Sequence, residues 1–254
     1  MTYEEGIEQP TWRAEPPPSV RRRKWPLRLV IVLLVLAGLF VGADRIAVGI
    51  AESQIAKRVQ TSQNLASKPS VTIANFPFLT QLAGMKLDHV SMDARGVVRN
   101  GIRVSDLHVD LTGVVPSNGF KEAKVDKLSG TAFFSWPDLE AAAAAQRLDV
   151  TLAAGPDDTI RVTGPVPGVG KVTLQSRLTL GPDNRLELAA SKVETPIPGL
   201  GARIPRELDF PVPIGALPMN LTLQLNDLKT SGDGLRVKAL ADHVTITSSG
   251  ISNS

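Results

Sequence analysis

The stretch KVTLQSRLTL, residues 171–180, alternates apolar and polar side chains along almost its whole length. Its apolar positions are Val172, Leu174, Leu178 and Leu180. The same two-residue period recurs in LPMNLTLQLN, residues 217–226, and in residues 107–111. Successive side chains of a strand point to opposite faces, so this pattern predicts antiparallel sheets with one apolar face and one polar face.

A change of phase precedes residues 107–111. Ile102 and Val104 are apolar at even-numbered positions, whereas Leu107 and Val109 are apolar at odd-numbered ones. One extra residue in the strand would reconcile the two phases, so the sequence predicts a β-bulge near residues 105–106.

Two further segments carry helical signals. The apolar residues of segment 44–66 recur at steps of three or four: Val48, Ala51, Ile55 and Val59. This spacing places them on one face of a helix. Residues 135–138 supply a serine cap, a proline suited to the first turn and an acidic residue, and a run of alanines follows. Together with the strands, these helices predict an α+β fold.

The N-terminal region predicts a membrane segment. Residues 21–24 form a block of four basic residues, and residues 29–43 contain no charge. Counted from Trp25, the apolar segment approaches the roughly 20 residues that span a bilayer. Basic residues are retained on the cytoplasmic side, which fixes the direction of crossing.

We therefore predict three regions and a location at the cytoplasmic membrane. Residues 1–24 form a disordered cytoplasmic tail, residues 25–43 a transmembrane anchor, and residues 44–254 an extracytoplasmic domain. The small residues that end at Ala43 also resemble a signal-peptide cleavage site, so a secreted or periplasmic domain released near Ala43 is the alternative.

Charge and cysteine content restrict the functional classes. Six of the 28 basic residues and four of the 25 acidic ones precede residue 44, which leaves a nearly neutral remainder of 22 and 21. This remainder lacks the basic surface that nucleic-acid binding requires. The absence of cysteine excludes disulfides, thiolate metal sites and cysteine nucleophiles.

Catalytic and metal-binding motifs are not found in the sequence. His89, His108 and His243 lack partners at metal-ligand spacing, and no serine-hydrolase or metalloprotease motif occurs. We therefore predict no enzymatic activity, no metal and no cofactor. A lipid hydrolase is the least favoured alternative, and it would need His89 or His108 beside an acid.

Apolar residues in irregular regions are the candidate lipid contacts. Phe76, Phe78, Leu79 and Leu82 form a cluster that either contacts lipid or membrane or fills the core. Ile204 and Phe210 lie in a long stretch rich in proline and glycine, residues 196–215, which either gates a trough or caps one end of the sheet.

One segment carries a family resemblance. The sequence NFPFLTQLAGMKLDHVSMDARGV, which starts at Asn75, resembles the LmeA-like phospholipid-binding proteins of the actinobacterial cell envelope. The helix that precedes it and the C-terminal strands from Leu217 also fit, so the resemblance covers roughly residues 44–250. The F-P-F-L-T-Q core is more specific than the alternating strands.

The resemblance implies the fold and the function. It implies an elongated, curved antiparallel sheet wrapped around a long helix, similar to tubular lipid-binding domains. It also implies an exported, membrane-associated protein that binds phospholipid, inositol phospholipid included, and that supports lipoglycan or mannan synthesis without catalysis. It indicates no protein partner, and an envelope scaffold with a packed core remains the main alternative.

Overall fold

Most of the chain is described by a computed structural model. The described residues are 25–99, 101–118, 122–180, 186–194, 221–247 and 250–253. The predicted gate residues Ile204 and Phe210 lie outside them. Contacts divide the chain into two compact units, Met1–Val41 and Gly42–Ser254, which are described separately below.

The first unit contains the start of a long helix, α1, which begins at Trp25 and ends at Ser62. Pro26 lies in its first turn, where a residue without an N–H is tolerated. The described side chains of residues 25–41 are exposed. With a mean hydropathy of 2.4 over its apolar window, the helix is long and apolar enough to cross a membrane. Both an anchor and a signal sequence have this character.

The second unit contains two further helices and eleven strands within the described residues. The helices are α2 (Phe78–Ala83) and α3 (Trp136–Ala145). The strands are β1 (Ser70–Ala74), β2 (Leu87–Arg99), β3 (Ile102–Ser117), β4 (Glu122–Ser135), β5 (Thr151–Ala154), β6 (Ile160–Val166), β7 (Gly170–Leu180), β8 (Leu186–Glu194), β9 (Leu221–Ser231), β10 (Gly234–Thr247) and β11 (Gly250–Asn253).

The strands form two antiparallel sheets. The larger has the order β1-β2-β3-β4-β10-β11, and β9 pairs with β10 beside β11. The smaller has the order β5-β6-β7-β8. This arrangement confirms the predicted α+β class with antiparallel sheets.

Register aligns the alternating side chains into rows across the larger sheet. Val90, Leu111, Leu128 and Ala241 lie opposite one another on β2, β3, β4 and β10. Asp93, His108, Thr131 and Lys238 form a corresponding row three residues further along β2. An odd separation reverses the face in regular strands, so the sheet has an apolar face and a polar face, as the period predicts.

The predicted bulge near residues 105–106 is wrong. Strands β2 and β3 keep one register from the Leu87–Val114 pair to the Arg99–Ile102 pair. Their pairing skips Gly96 opposite Ser105, and Gly96 has a φ of 61°. Glycine adopts positive φ readily because it lacks Cβ, so the change of phase coincides with a glycine and needs no inserted residue.

A second interruption crosses four strands in one row. The ladders skip Asp88 on β2, Gly113 on β3, Asp126 on β4 and His243 on β10. Gly113 and His243 both have positive φ, and a Cβ at Gly113 would collide with the Asp126 carboxylate. Beyond this row, buried valines resume on β3, β4 and β10 in a new phase, and they join the same core.

The apolar face of the larger sheet packs into two cores. The helix-facing core contains Ala56, Val71, Ile73, Phe78, Leu87, Val90, Val114, Val125, Leu128, Ala241 and Val244. Val48, Ala51 and Ile55 of α1 pack against it, which confirms three of the four residues of the predicted helix face. The fourth, Val59, is partly buried but is not part of this core. The helix ends at Ser62, four residues before the predicted end.

The second core joins α3, the smaller sheet and the other end of the larger sheet. It contains Ile102, Phe134, Trp136, Ile160, Val162, Val172, Leu174, Leu178, Leu235 and Val237. The predicted cap of α3 is confirmed, because the Ser135 side chain accepts a hydrogen bond from the Asp138 N–H at 3.3 Å. Ala142, from the run of alanines, packs against this core.

Candidate functional site

The short helix α2 carries three of the six predicted lipid contacts. Phe78 is 3% exposed, and Leu79 and Leu82 are partly buried against the same helix-facing core. Phe76, just before the helix, is 51% exposed. The structure therefore brings Phe78, Leu79 and Leu82 together in the core and leaves Phe76 at the surface.

A buried carboxylate positions α2. Asp44 is fully buried, and its Oδ1 accepts a hydrogen bond from the Leu79 N–H at 2.8 Å. Its Oδ2 has no hydrogen-bond partner among the described residues, and the Arg45 guanidinium lies 3.7 Å from it. That distance allows an ion pair but is too long for a hydrogen bond. Asp44 thus ties the start of α2 to the helix directly after the apolar run.

Two more polar residues fix the segments around α2. Gln81 Nε2 donates to the Asn75 carbonyl at 3.0 Å, and Gln81 Oε1 accepts from the Asp88 N–H at 3.0 Å. Glu52 on α1 accepts from the Ile73 N–H at 2.8 Å, which satisfies a donor on edge strand β1. Sequence reasoning missed these roles, although glutamine is the last residue of the F-P-F-L-T-Q motif.

The exposed Phe76 ring stacks with a cation. The Arg45 guanidinium carbon lies 5.0 Å from the centre of the Phe76 ring, within the range of a cation–π interaction. The Arg45 side chain is itself exposed. The pair therefore presents an aromatic ring and a positive charge together at the surface.

An apolar strip crosses the larger sheet between its two cores. Met92, Val109, Gly130 and Ala239 lie opposite one another on β2, β3, β4 and β10, and each is partly exposed. Met92 and Val109 border the helix-facing core, and Ala239 borders the second core. Among the described residues, a Cβ at Gly130 would meet only the His108 carbonyl within 4 Å, at 4.0 Å. Four neighbouring strands give the apolar strip a length of about 14 Å.

The polar face of the sheet carries a cavity of about 460 Å³. Its lining includes Asp93, Arg95, Asp106, His108, Thr131, Phe133 and Arg236. Arg95 pairs with Asp106 at 3.2 Å, and the Arg236 guanidinium lies over the Phe133 ring at 5.6 Å. Positive and negative groups are both present, so the cavity has no dominant charge.

His108 is held between two carboxylates in this cavity. Its Nδ1 lies 2.6 Å from Asp93 Oδ1 and its Nε2 lies 3.0 Å from Asp110 Oδ2. An ionised carboxylate can only accept, so both ring nitrogens donate when the imidazole is protonated. A histidine bound at both nitrogens has no free nitrogen to act as a general base. Within the part of the chain that the structure describes, no group of three acidic or histidine side chains could hold a metal ion.

Comparison with known proteins assigns the family. The model of the LmeA-like phospholipid-binding family matches residues 42–239. The chain belongs to this family. No curated protein matches it. No solved structure matches it either.

The LmeA-like match begins two residues before Asp44 and includes α2, the apolar strip and the polar cavity. It therefore confirms the resemblance that the F-P-F-L-T-Q segment indicated. The family is a phospholipid-binding one and not a known enzyme family.

The surroundings of His108 make folding depend on pH. The hydrogen bond to Asp93 raises the pKa of His108 above its ordinary 6.5, and Asp110 acts in the same direction against the effect of burial. A raised pKa in the folded protein stabilises it below pH 6.5, and this contribution is lost as the pH rises through the folded pKa.

We predict that His108→Gln destabilises the protein more at low pH than at high pH. Free energies of unfolding for both proteins at about pH 5.5 and about pH 8.5 bracket the titration of histidine. An equal loss of stability at the two pH values would contradict the prediction.

Proposed function

We propose that this chain holds or passes phospholipid at the outer face of the cytoplasmic membrane, anchored there by residues 25–43. Family membership supports phospholipid binding, and the apolar part of α1 supports a membrane segment. Inositol phospholipid as the ligand, and a supporting role in lipoglycan or mannan synthesis, extend the proposal from the family resemblance. The resemblance to tubular lipid-binding domains is likewise part of the proposal.

The apolar strip is the observation that carries the proposal. It offers partly exposed apolar surface on a sheet whose flanking rows contribute buried residues to the two cores, Val90 to the helix-facing core and Val237 to the second core. An acyl chain laid along it would gain about 0.8 kcal/mol for each methylene removed from water. Gly130 has no side chain and Ala239 has only a methyl group, so both leave room for an acyl chain above the sheet.

The residues around α2 complete the proposed lipid path. Leu79 and Leu82, partly buried at the margin of the helix-facing core, are proposed to contact lipid, and Phe76 is proposed to contact the membrane. Ile204 and Phe210 are proposed to gate entry. Phe78 is buried, so a lipid would contact it only by displacing the core side chains that surround it.

Photo-crosslinking in nanodiscs tests lipid uptake by the full-length chain. The probe is a phospholipid with a diazirine at the end of one acyl chain, a group that stays near the centre of an undisturbed bilayer. We expect mass spectrometry to find adducts on the apolar strip and on Leu79 or Leu82. Adducts confined to residues 25–43 would overturn the proposal and favour an envelope scaffold with a packed core.

Filling the apolar strip should block the lipid. In Gly130→Leu the new side chain displaces roughly three methylenes, at about 0.8 kcal/mol each, so the affinity should fall at least tenfold. Gly232→Leu is the matched control, because Gly232 lies in the turn between β9 and β10 and a Cβ there would have no neighbour within 4 Å in the part of the chain that the structure describes. Equal adduct yields from the two variants would exclude the apolar strip as the site.

A further inference from the structure

We propose that Arg45, Ile46 and Phe76 form a docking patch that lies in the headgroup layer of the outer leaflet. This inference rests on the proposed anchoring by residues 25–43 and assigns a second lipid-contacting surface, separate from the apolar strip. Its occupant is the bilayer surface and not a single extracted lipid.

Chain connectivity limits how far the docking patch can lie from the bilayer. Arg45 follows Ala43, the last residue of the uncharged run, by two positions. Two residues span at most about 7 Å. The headgroup layer of each leaflet is roughly 5 to 8 Å thick. Arg45 therefore lies at the level of the lipid phosphates when residues 25–43 span the hydrocarbon layer.

Tertiary contacts place Phe76 beside Arg45 and therefore at the same depth relative to the lipid phosphates. The Asp44–Leu79 hydrogen bond ties the start of α2 to this part of the helix, and the ring of Phe76 stacks on Arg45. Both contacts lie within the second unit and join residues more than thirty positions apart in sequence. Phe76 thus reaches the membrane surface through its packing, although it is distant from the apolar run in sequence.

The chemistry of the docking patch matches a phospholipid surface. Ile46 is 67% exposed and Phe76 is 51% exposed, and the exposed Arg45 guanidinium lies beside the ring. An arginine pairs with phosphate through parallel hydrogen bonds, and apolar side chains beside it enter the boundary between headgroups and acyl chains. Asp44, the carboxylate that pairs with Arg45, is buried and is not part of the exposed surface.

Spin labels on the full-length chain in nanodiscs of phosphatidylcholine and phosphatidylglycerol test the docking patch. The chain contains no cysteine, so Phe76→Cys gives a single labelling site. We expect this label to be accessible to oxygen and protected from a water-soluble nickel chelate. The matched control is Val98→Cys, because Val98 is 62% exposed and lies far from the docking patch. It is about 33 Å along β2 from Asp88, the strand residue that Gln81 ties to the segment before α2. Equal nickel accessibility of the two labels would overturn the proposal.

Removing the charge tests the role of Arg45. In the Phe76→Cys background, Arg45→Gln should lower the ratio of protected to water-exposed label roughly fivefold, the factor that about 1 kcal/mol per basic residue at an anionic surface represents. Arg177→Gln, at an exposed position on β7, is the charge control and should leave the ratio unchanged. Equal ratios for the two variants would exclude Arg45 from the docking patch.

The crosslinking experiment separates this inference from the proposed function. Adducts on the apolar strip together with a water-exposed Phe76 label would support lipid uptake and overturn docking. A protected Phe76 label with adducts confined to residues 25–43 would support docking and overturn lipid uptake.

Discussion

Phe78→Ala is expected to lower the free energy of unfolding of the second unit by about 3 to 5 kcal/mol. Phe78 is 3% exposed and contacts the helix-facing core, which joins α1, α2 and the larger sheet. Alanine would leave a cavity where these elements meet. A loss of this size is a large part of the 5 to 15 kcal/mol by which domains are usually stable. Urea titration with pulse proteolysis of the full-length protein in nanodiscs measures it.

Phe76→Ala is the control for Phe78→Ala. The two residues are separated by one proline, but Phe76 is half exposed, so its replacement should cost less than about 1 kcal/mol. We expect Phe78 to stabilise the fold and Phe76 to contact the membrane. Similar losses of stability from both variants would contradict this assignment.

Trp136→Ala is expected to have a comparable effect on the second core. Trp136 is buried at the start of α3, and its Nε1 donates to the Ser231 carbonyl at 3.1 Å. Alanine removes both the packing of the ring and this hydrogen bond. We expect the free energy of unfolding to fall by about 3 to 5 kcal/mol, measured by the same proteolysis assay because it needs no tryptophan signal.

Trp136→Phe separates the two contributions of Trp136. Phenylalanine keeps most of the apolar contact and loses the donor, so the expected loss is about 1 to 3 kcal/mol. A loss as large as that of Trp136→Ala would assign the whole effect to the hydrogen bond. A Trp136→Ala variant within 1 kcal/mol of the unchanged protein would contradict the packing of the second core.

The sequence predicted those features that depend on neighbouring residues. The alternating residues 171–180 form strand β7, as predicted, and the serine before Trp136 caps α3. Three of the four residues predicted for the apolar face of α1 were likewise confirmed. The bulge near residues 105–106 was wrong, because the same change of phase coincides with a left-handed glycine on the neighbouring strand.

The candidate site was predicted only in part, because it also depends on contacts between residues that are distant in sequence. The F-P-F-L-T-Q segment drew attention to α2, but periodicity alone left open which aromatic ring would be buried. Burial of Phe78 and exposure of Phe76 depend on where the helix-facing core lies. Ile204 and Phe210 lie outside the described residues, so their role as a gate stays a prediction.

The sequence by itself determined the α+β class, the long apolar N-terminal helix and the family, because strand period, helix caps, an uncharged run and a short motif are all local properties. Only the tertiary structure placed Asp44 on Leu79, His108 between two carboxylates, and four residues of four strands in one apolar strip. These arrangements depend on strand register and on packing between distant segments, which no local pattern specifies.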